Sequence, residues 1–187
     1  MKRRFISLIN AEIKNKKLGK LAYIKVKINH ITDSSIVEKL YEAARVGVDV
    51  DLLVRGNCSL LTDSSEVNQH LRVTGIIDRY LEHSRIFIFA NGGPEKIFIG
   101  SADWMPRNLD HRIEVVAPVY DPDIRIELRR IVDFGLKDAA QARIVDGKGS
   151  NSFKEVADGE PLFRSQEELY NCYLTENEEA SQMAIVE

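Results

Sequence analysis

The stretch from Tyr23 to Val54 constrains the fold of this chain more than any other. Tyr23 to Asn29 alternates Ile24, Val26 and Ile28 against Lys25 and Lys27, the period-two pattern of a strand with one dry face. Ile36, Val37, Leu40, Tyr41 and Ala44 then recur at helical spacing. Ser35-x-x-Glu38 ahead of that stripe reads as a capping box, and Gly47 stops the helix. Val50 to Val54 is a second apolar strand. Strand, helix and strand joined by short links form a βαβ unit, so the two strands are expected to be parallel.

The flanks fill out an α/β layout. Phe5, Leu8, Ile9, Glu12 and Ile13 outline a first helix ended by Gly19, with Lys14, Lys16 and Lys17 where a helix dipole favours cations. Asn57 to Asn68 reads as a polar loop, Leu71 to Ile77 as a strand, and Asp78 to Glu82 as a short helical turn. Arg85 to Ala90 and Lys96 to Ser101 form a hairpin about Asn91-Gly92-Gly93-Pro94, and Arg112 to Tyr120 reads as a further strand. Asp121 is placed as N-cap and Pro122 as first residue of a helix with the stripe Ile124, Leu128, Ile131 and Val132. Ala142 to Val145 reads as a short edge strand, Leu162 to Leu174 as a last helix, and Glu176 to Glu187 as a frayed acidic end. Residues 1–146 are expected to form the α/β domain. Residues 147–187 are expected to be a loop, terminal helix and acidic tail packed on or trailing it.

Composition narrows the function. A chain of 187 residues with 44% hydrophobic and 29% charged residues fits one globular domain with room for a short appendage. A formal charge of -3 argues against nucleic-acid binding driven by bulk charge, though it allows a local basic pocket. Phe5 to Ile9 is too short for a signal peptide, and no run approaches the ~20 apolar residues of a membrane span. Cys58 and Cys172 lie far apart without a CxxC, which argues against a disulfide framework or zinc site and for a reducing cytoplasm.

Chemistry concentrates between residues 83 and 104. His83-Ser84-Arg85 enters a strand, and the hairpin returns to Gly100-Ser101-Ala102-Asp103-Trp104. Imidazole titrates near ~6.5, so His83 suits nucleophile, base or acid work, though a lone histidine more often caps a helix or fills a gap. Arg85 has side-chain parity with His83, and the glycine and serine of the partner strand would let backbone N–H groups approach an anion. Arg55 ends the second strand of the βαβ unit, where ligands of α/β sheets bind; a phosphate clamp and a surface salt bridge fit that position equally. Arg107, Asn108, Asp110, Arg112 and Glu114 form either a solvated loop or a polar network that orients site groups. His111 reads as exposed, and His30 and His70 have no partners at metal spacing, so no metal site is expected. Gly147-Lys148-Gly149-Ser150 lacks the order of a phosphate loop and is set aside.

His-x-Arg followed by Gly-Ser-x-Asp resembles the phospholipase D signature, with arginine in place of its lysine. Three longer strings are more specific: Leu52 to Gly56, Arg79 to Phe87, and Ser101 to Asp110. They closely resemble the final catalytic domain of bacterial polyphosphate kinase, over about Phe5 to Tyr173. The resemblance implies a phospholipase-D-like α/β domain, a mixed β-sheet flanked by helices. It implies transfer of the terminal phosphate of ATP to polyphosphate, reversibly, with ADP as the other nucleotide and Mg2+ held outside this chain. Arg55 would contact the nucleotide phosphates. His83 would protonate or orient the departing ADP, and the phosphorylated histidine would lie in an upstream domain. Arg85, Ser101, Asp103, Arg107 and Asn108 would support the site. The resemblance further implies a homo-oligomer at full length and a possible peripheral contact with membranes. Two other functions fit the residues: a homodimeric phosphodiesterase that pairs His83 from two chains, and a non-catalytic binding or oligomerisation module.

Overall fold

A computed structural model describes residues 1–62, 69–157 and 159–186. Its centre is the expected βαβ unit. Strand β1 (Tyr23–Ile28) leads through helix α2 (Ser34–Arg45) to β2 (Asp49–Val54), and the strands are parallel with Ile28 opposite Val54. Helix α1 (Lys2–Lys17) precedes them, and β3 (Leu71–Gly75) adds a third parallel strand. The hairpin β4 (Ile86–Phe89) and β5 (Lys96–Gly100) joins antiparallel to β1, followed by β6 (Val116–Val119). Helix α3 (Pro122–Lys137), the short strand β7 (Arg143–Ile144) and helix α4 (Ser165–Val186) complete the chain. The seven strands run β6-β5-β4-β1-β2-β3-β7, a mixed sheet with both edges antiparallel.

Helices cover both faces. Ile24, Val26 and Ile28 of β1 pack with Phe5, Ile9 and Ile13 of α1 and Ile36 and Leu40 of α2. On the opposite face Leu53, Ile86, Ile88 and Ile97 meet Val132, Leu128 and Ile131 of α3. Helix α4 packs beside α3, with Phe134 set edge-on to Phe163 at 5.2 Å and Arg130 paired to Glu176 at 2.6 Å. Beneath the hairpin Phe5, Phe87 and Trp104 form an aromatic cluster with centroids 4.7 to 5.5 Å apart. All three are buried, and such packing adds about 0.5–1.5 kcal/mol per aromatic pair beyond area burial.

Local expectations fail where distant partners intervene. The Ser35-x-x-Glu38 box does not cap α2; Asp33 does, accepting from Ile36 N at 3.1 Å. Asp33 is available because its backbone N–H, with that of Thr32, is tied to Trp104 O. Asp78 to Glu82 is not helical, since side chains of the chain's far end hold it open. The strand expected from Arg112 begins only at Val116, after a π-helical turn at Arg107–His111. The last helix runs on to Val186 through the stretch expected to fray. The expected loop 57–68 has no strand over residues 57–62 beyond a bridge at Cys58, and residues 63–68 lie outside the described part. Asp121 caps α3 as expected, accepting from Asp123 N and Ile124 N at 3.0 Å.

Candidate functional site

Parallel register places the first two groups. Ile28 pairs with Val54, so Asn29 and Arg55 emerge side by side at the carboxyl ends of β1 and β2. Buried Asn29 accepts from Arg55 Nε at 2.7 Å and fixes the direction of the guanidinium. Gly56 follows because the His30 ring occupies the space a Cβ would need, while His30 Nδ1 accepts from Asn57 N at 2.9 Å.

Arg55 Nη2 lies 3.1 Å from His83 Nδ1. A guanidinium carries only donors, so Nδ1 must accept and the imidazole proton sits on Nε2. His83 is exposed, and its Nε2–H has no protein partner among the described residues. Arg55 Nη1 likewise has none. The pair thus offers a fixed cation and a neutral N–H donor at one mouth of the sheet, an arrangement an anion with several oxygens fits.

Asp103 lies beneath this pair rather than facing it. It is 4% exposed and accepts from Asn29 N at 3.0 Å, His30 N at 3.3 Å, and Arg85 Nε and Nη2 at 3.2 Å each. The same carboxylate therefore steadies the end of β1 and the strand entry beside His83. Arg85 also donates to His83 O at 2.7 Å, so its fork is turned inward. A shared strand face for His83 and Arg85 does not arise, because β4 begins at Ile86.

The Gly-Ser pair behaves differently from expectation. Gly100 N donates to Arg85 O and Ser101 N to Val115 O, so neither amide is open to an anion. Glycine is required at 100 because a Cβ would strike Val115 O and Val116. Ser101 Oγ donates to Glu114 and accepts from Val115 N at 3.2 Å. Asn108, buried in the π-helical turn, donates to Glu114 Oε1 at 2.6 Å. These hydrogen bonds, from Ser101 first, hold the Glu114 carboxyl below its ordinary range. Residues 101–114 thus form a polar network as well as an exposed surface. Arg107 and His111 are exposed at the ends of the turn.

No motif marks Asn29, although the βαβ register alone puts it beside Arg55. Gln166, Arg164 and the ion pair of Lys27 with Glu82 also belong to the surroundings of the site, and no local pattern marks them. Among the described residues no group of three or more His, Cys, Asp or Glu is arranged to hold a metal ion. No helix there is long and apolar enough to cross a membrane.

The mixed sheet and its helical layers define an α/β protein with a phospholipase-D-like fold. A phospholipase D family member, Nuc from Salmonella typhimurium, shares that fold at 14% identity and a TM-score of 0.50, matching 74% of this chain and 88% of its own. The chain belongs to the family described as polyphosphate kinase C-terminal domain 2, whose model matches residues 1–166. The crystal structure of polyphosphate kinase from Porphyromonas gingivalis matches 96% of this chain and 27% of its own, with a TM-score of 0.89 and 43% identity. Polyphosphate kinase of Parasynechococcus marenigrum is 44% identical over 87% of this chain and 23% of that protein. Polyphosphate kinase of Escherichia coli K12 is 41% identical over 81% of this chain and 22% of that protein. The chain therefore spans roughly a quarter of the length of these relatives.

Proposed function

We propose that this chain forms one wall of the active site of an ATP:polyphosphate phosphotransferase. Arg55 holds the nucleotide phosphates and His83 contacts the departing ADP, while an upstream domain supplies the histidine that takes the phosphoryl group. The observation that carries this is the Arg55–His83 pair, which leaves one guanidinium nitrogen and one imidazole N–H without protein partners among the described residues.

Phosphoryl transfer to the upstream histidine breaks the bond between the terminal phosphorus and its bridging oxygen. Negative charge then gathers on the ADP oxygen, and stabilising it is most of the catalytic task. Arg55 neutralises that charge, and His83 Nε2–H donates a hydrogen bond to it. Full proton delivery would require an imidazolium, which has no lone pair to accept from Arg55, so the pairing favours orientation over general acid. Arg85 is committed to Asp103 and serves as scaffold, which supports transfer at a shared site over hydrolysis by this chain alone. In this proposal a metal serving the reaction is held by other domains; among the described residues no group of three or more His, Cys, Asp or Glu converges to hold one. Cytoplasmic location, homo-oligomer formation and a peripheral membrane contact belong to the full-length enzyme in this proposal.

Calorimetric titration of the chain with ATP, ADP and tripolyphosphate tests the assignment. Binding is expected, with loss in Arg55→Ala and no turnover. Phosphodiester cleavage that disappears in His83→Ala would overturn it, as would a phosphoenzyme formed on this chain alone.

A further inference from the structure

The segment that carries His83 has no secondary structure of its own. Between the end of β3 at Gly75 and the start of β4 at Ile86 no residue belongs to a helix or strand. Ten residues without a ladder would be costly to order, at about 1–2 kcal/mol of backbone entropy each. Besides Arg55, Arg85 and Lys27, they are held by Arg164 and Gln166 at the start of α4, more than 80 positions away in sequence. The Gln166 side chain accepts from Tyr80 N at 2.8 Å and donates to Tyr80 O at 2.8 Å, pairing with that residue as a neighbouring strand would. Its Nε2 also donates to Glu82 Oε1 at 2.8 Å, and Glu82 is in turn ion-paired with Lys27 of β1.

Arg164, immediately before α4, grips the same segment at Asp78. Its Nε and Nη2 donate to the two oxygens of Asp78 at 3.0 and 2.6 Å, a two-pronged contact that holds the Asp78 carboxyl below its ordinary range. Ser165 is anchored through its amide to Asp138 Oδ2 at 2.7 Å, which ties the start of α4 to the end of α3. A recess of about 20 Å³ is lined by Asn29, Arg55 and Glu82 together with Ser165 and Leu169 of α4, so the helix borders the site.

We propose that Gln166, seconded by Arg164, is a positioning residue for His83. The amide clamp on residues 80 and 82 sets where the imidazole meets Arg55, and the first turn of α4 is part of the site. This rests on the assignment of Arg55 and His83 to phosphate binding, but the placement of His83 can be measured without any ligand.

The test uses Gln166→Ala and Arg164→Ala in the full 187-residue chain, with the side-chain nitrogens of His83 followed by 15N NMR at about pH 8, where imidazole is neutral. Wild type is expected to show one tautomer, with the proton on Nε2. Gln166→Ala is expected to show averaged tautomers and a Tyr80 amide that exchanges quickly, while the amides of β1 and β2 stay protected. If the freed segment keeps its binding geometry about one third of the time, the apparent Kd for tripolyphosphate rises about threefold. Arg164→Ala should move both readouts the same way by less. An unchanged tautomer and Kd in Gln166→Ala would overturn the proposal. So would loss of protection across the whole sheet in both variants, which would make α4 a general stabiliser. A wild-type chain that fails to bind tripolyphosphate counts against the assigned function, while the tautomer measurement still decides the role of Gln166.

Discussion

Arg55 and His83 touch, yet the two halves of the site are built by different physics. Arg55 sits at the end of a strand whose neighbours are fixed residue by residue through the sheet, above a floor of Asp103 and the Phe5, Phe87 and Trp104 cluster. His83 sits on a segment with no ladder, held by Gln166 at the start of α4, by Arg164 just before it and by Arg85. The first half is tied into the sheet, whereas the second depends on a few replaceable contacts. Local opening free energies vary across a fold in this way, and binding segments sit at the low end.

Substitutions should divide along that line. Phe87→Ala removes a fully buried ring from the floor and should lower global stability by about 3–5 kcal/mol, read from urea unfolding. Asp103→Ala leaves the largely buried Arg85 guanidinium without its partner and should cost about 3 kcal/mol in the same assay. A loss below ~1 kcal/mol for either would mean that the floor does not carry the site. Asn29→Ala should leave stability nearly intact but weaken tripolyphosphate binding about tenfold, because the Arg55 fork loses the acceptor that aims it. Asn29→Asp should keep the aim while neutralising part of the cation's attraction, so its binding should also fall.

The smallest effect is one of pH. Asp78 and Glu114 both have folded-state carboxyls below their ordinary range, through hydrogen bonds first from Arg164 and from Ser101 respectively. Their contribution is therefore present above the ordinary carboxylate range and is lost as pH falls through the lower folded values. Amide shifts of Arg79 and Val115 should report the two transitions, and Asp78→Asn should remove only the first.

The same division governs what the sequence discloses. The βαβ unit, the hairpin and the Asp121 cap rest on neighbours within a few positions, so periodicity and capping chemistry reveal them. Arg55 is legible because it ends a strand. The hold on residues 78–82 is not, because Gln166 and Arg164 reach it from the far end of the chain and cancel the local helical tendency. Ser101 and Asp103 are marked by motif as supporting residues, but their hydrogen-bond partners are not. Ser101 is bound to Glu114, and Asp103 to Arg85 and to the Asn29 amide, contacts that the motif alone does not disclose.

The most direct test of the central claim is a double-mutant cycle on ATP binding with Arg55→Ala, His83→Ala and the double variant. If one phosphate-binding unit is built from the two residues, the double variant should lose little more than Arg55→Ala alone, with a coupling of about 1 kcal/mol or more. Additive losses, or binding untouched by either change, would contradict a shared site at the ends of β1 and β2.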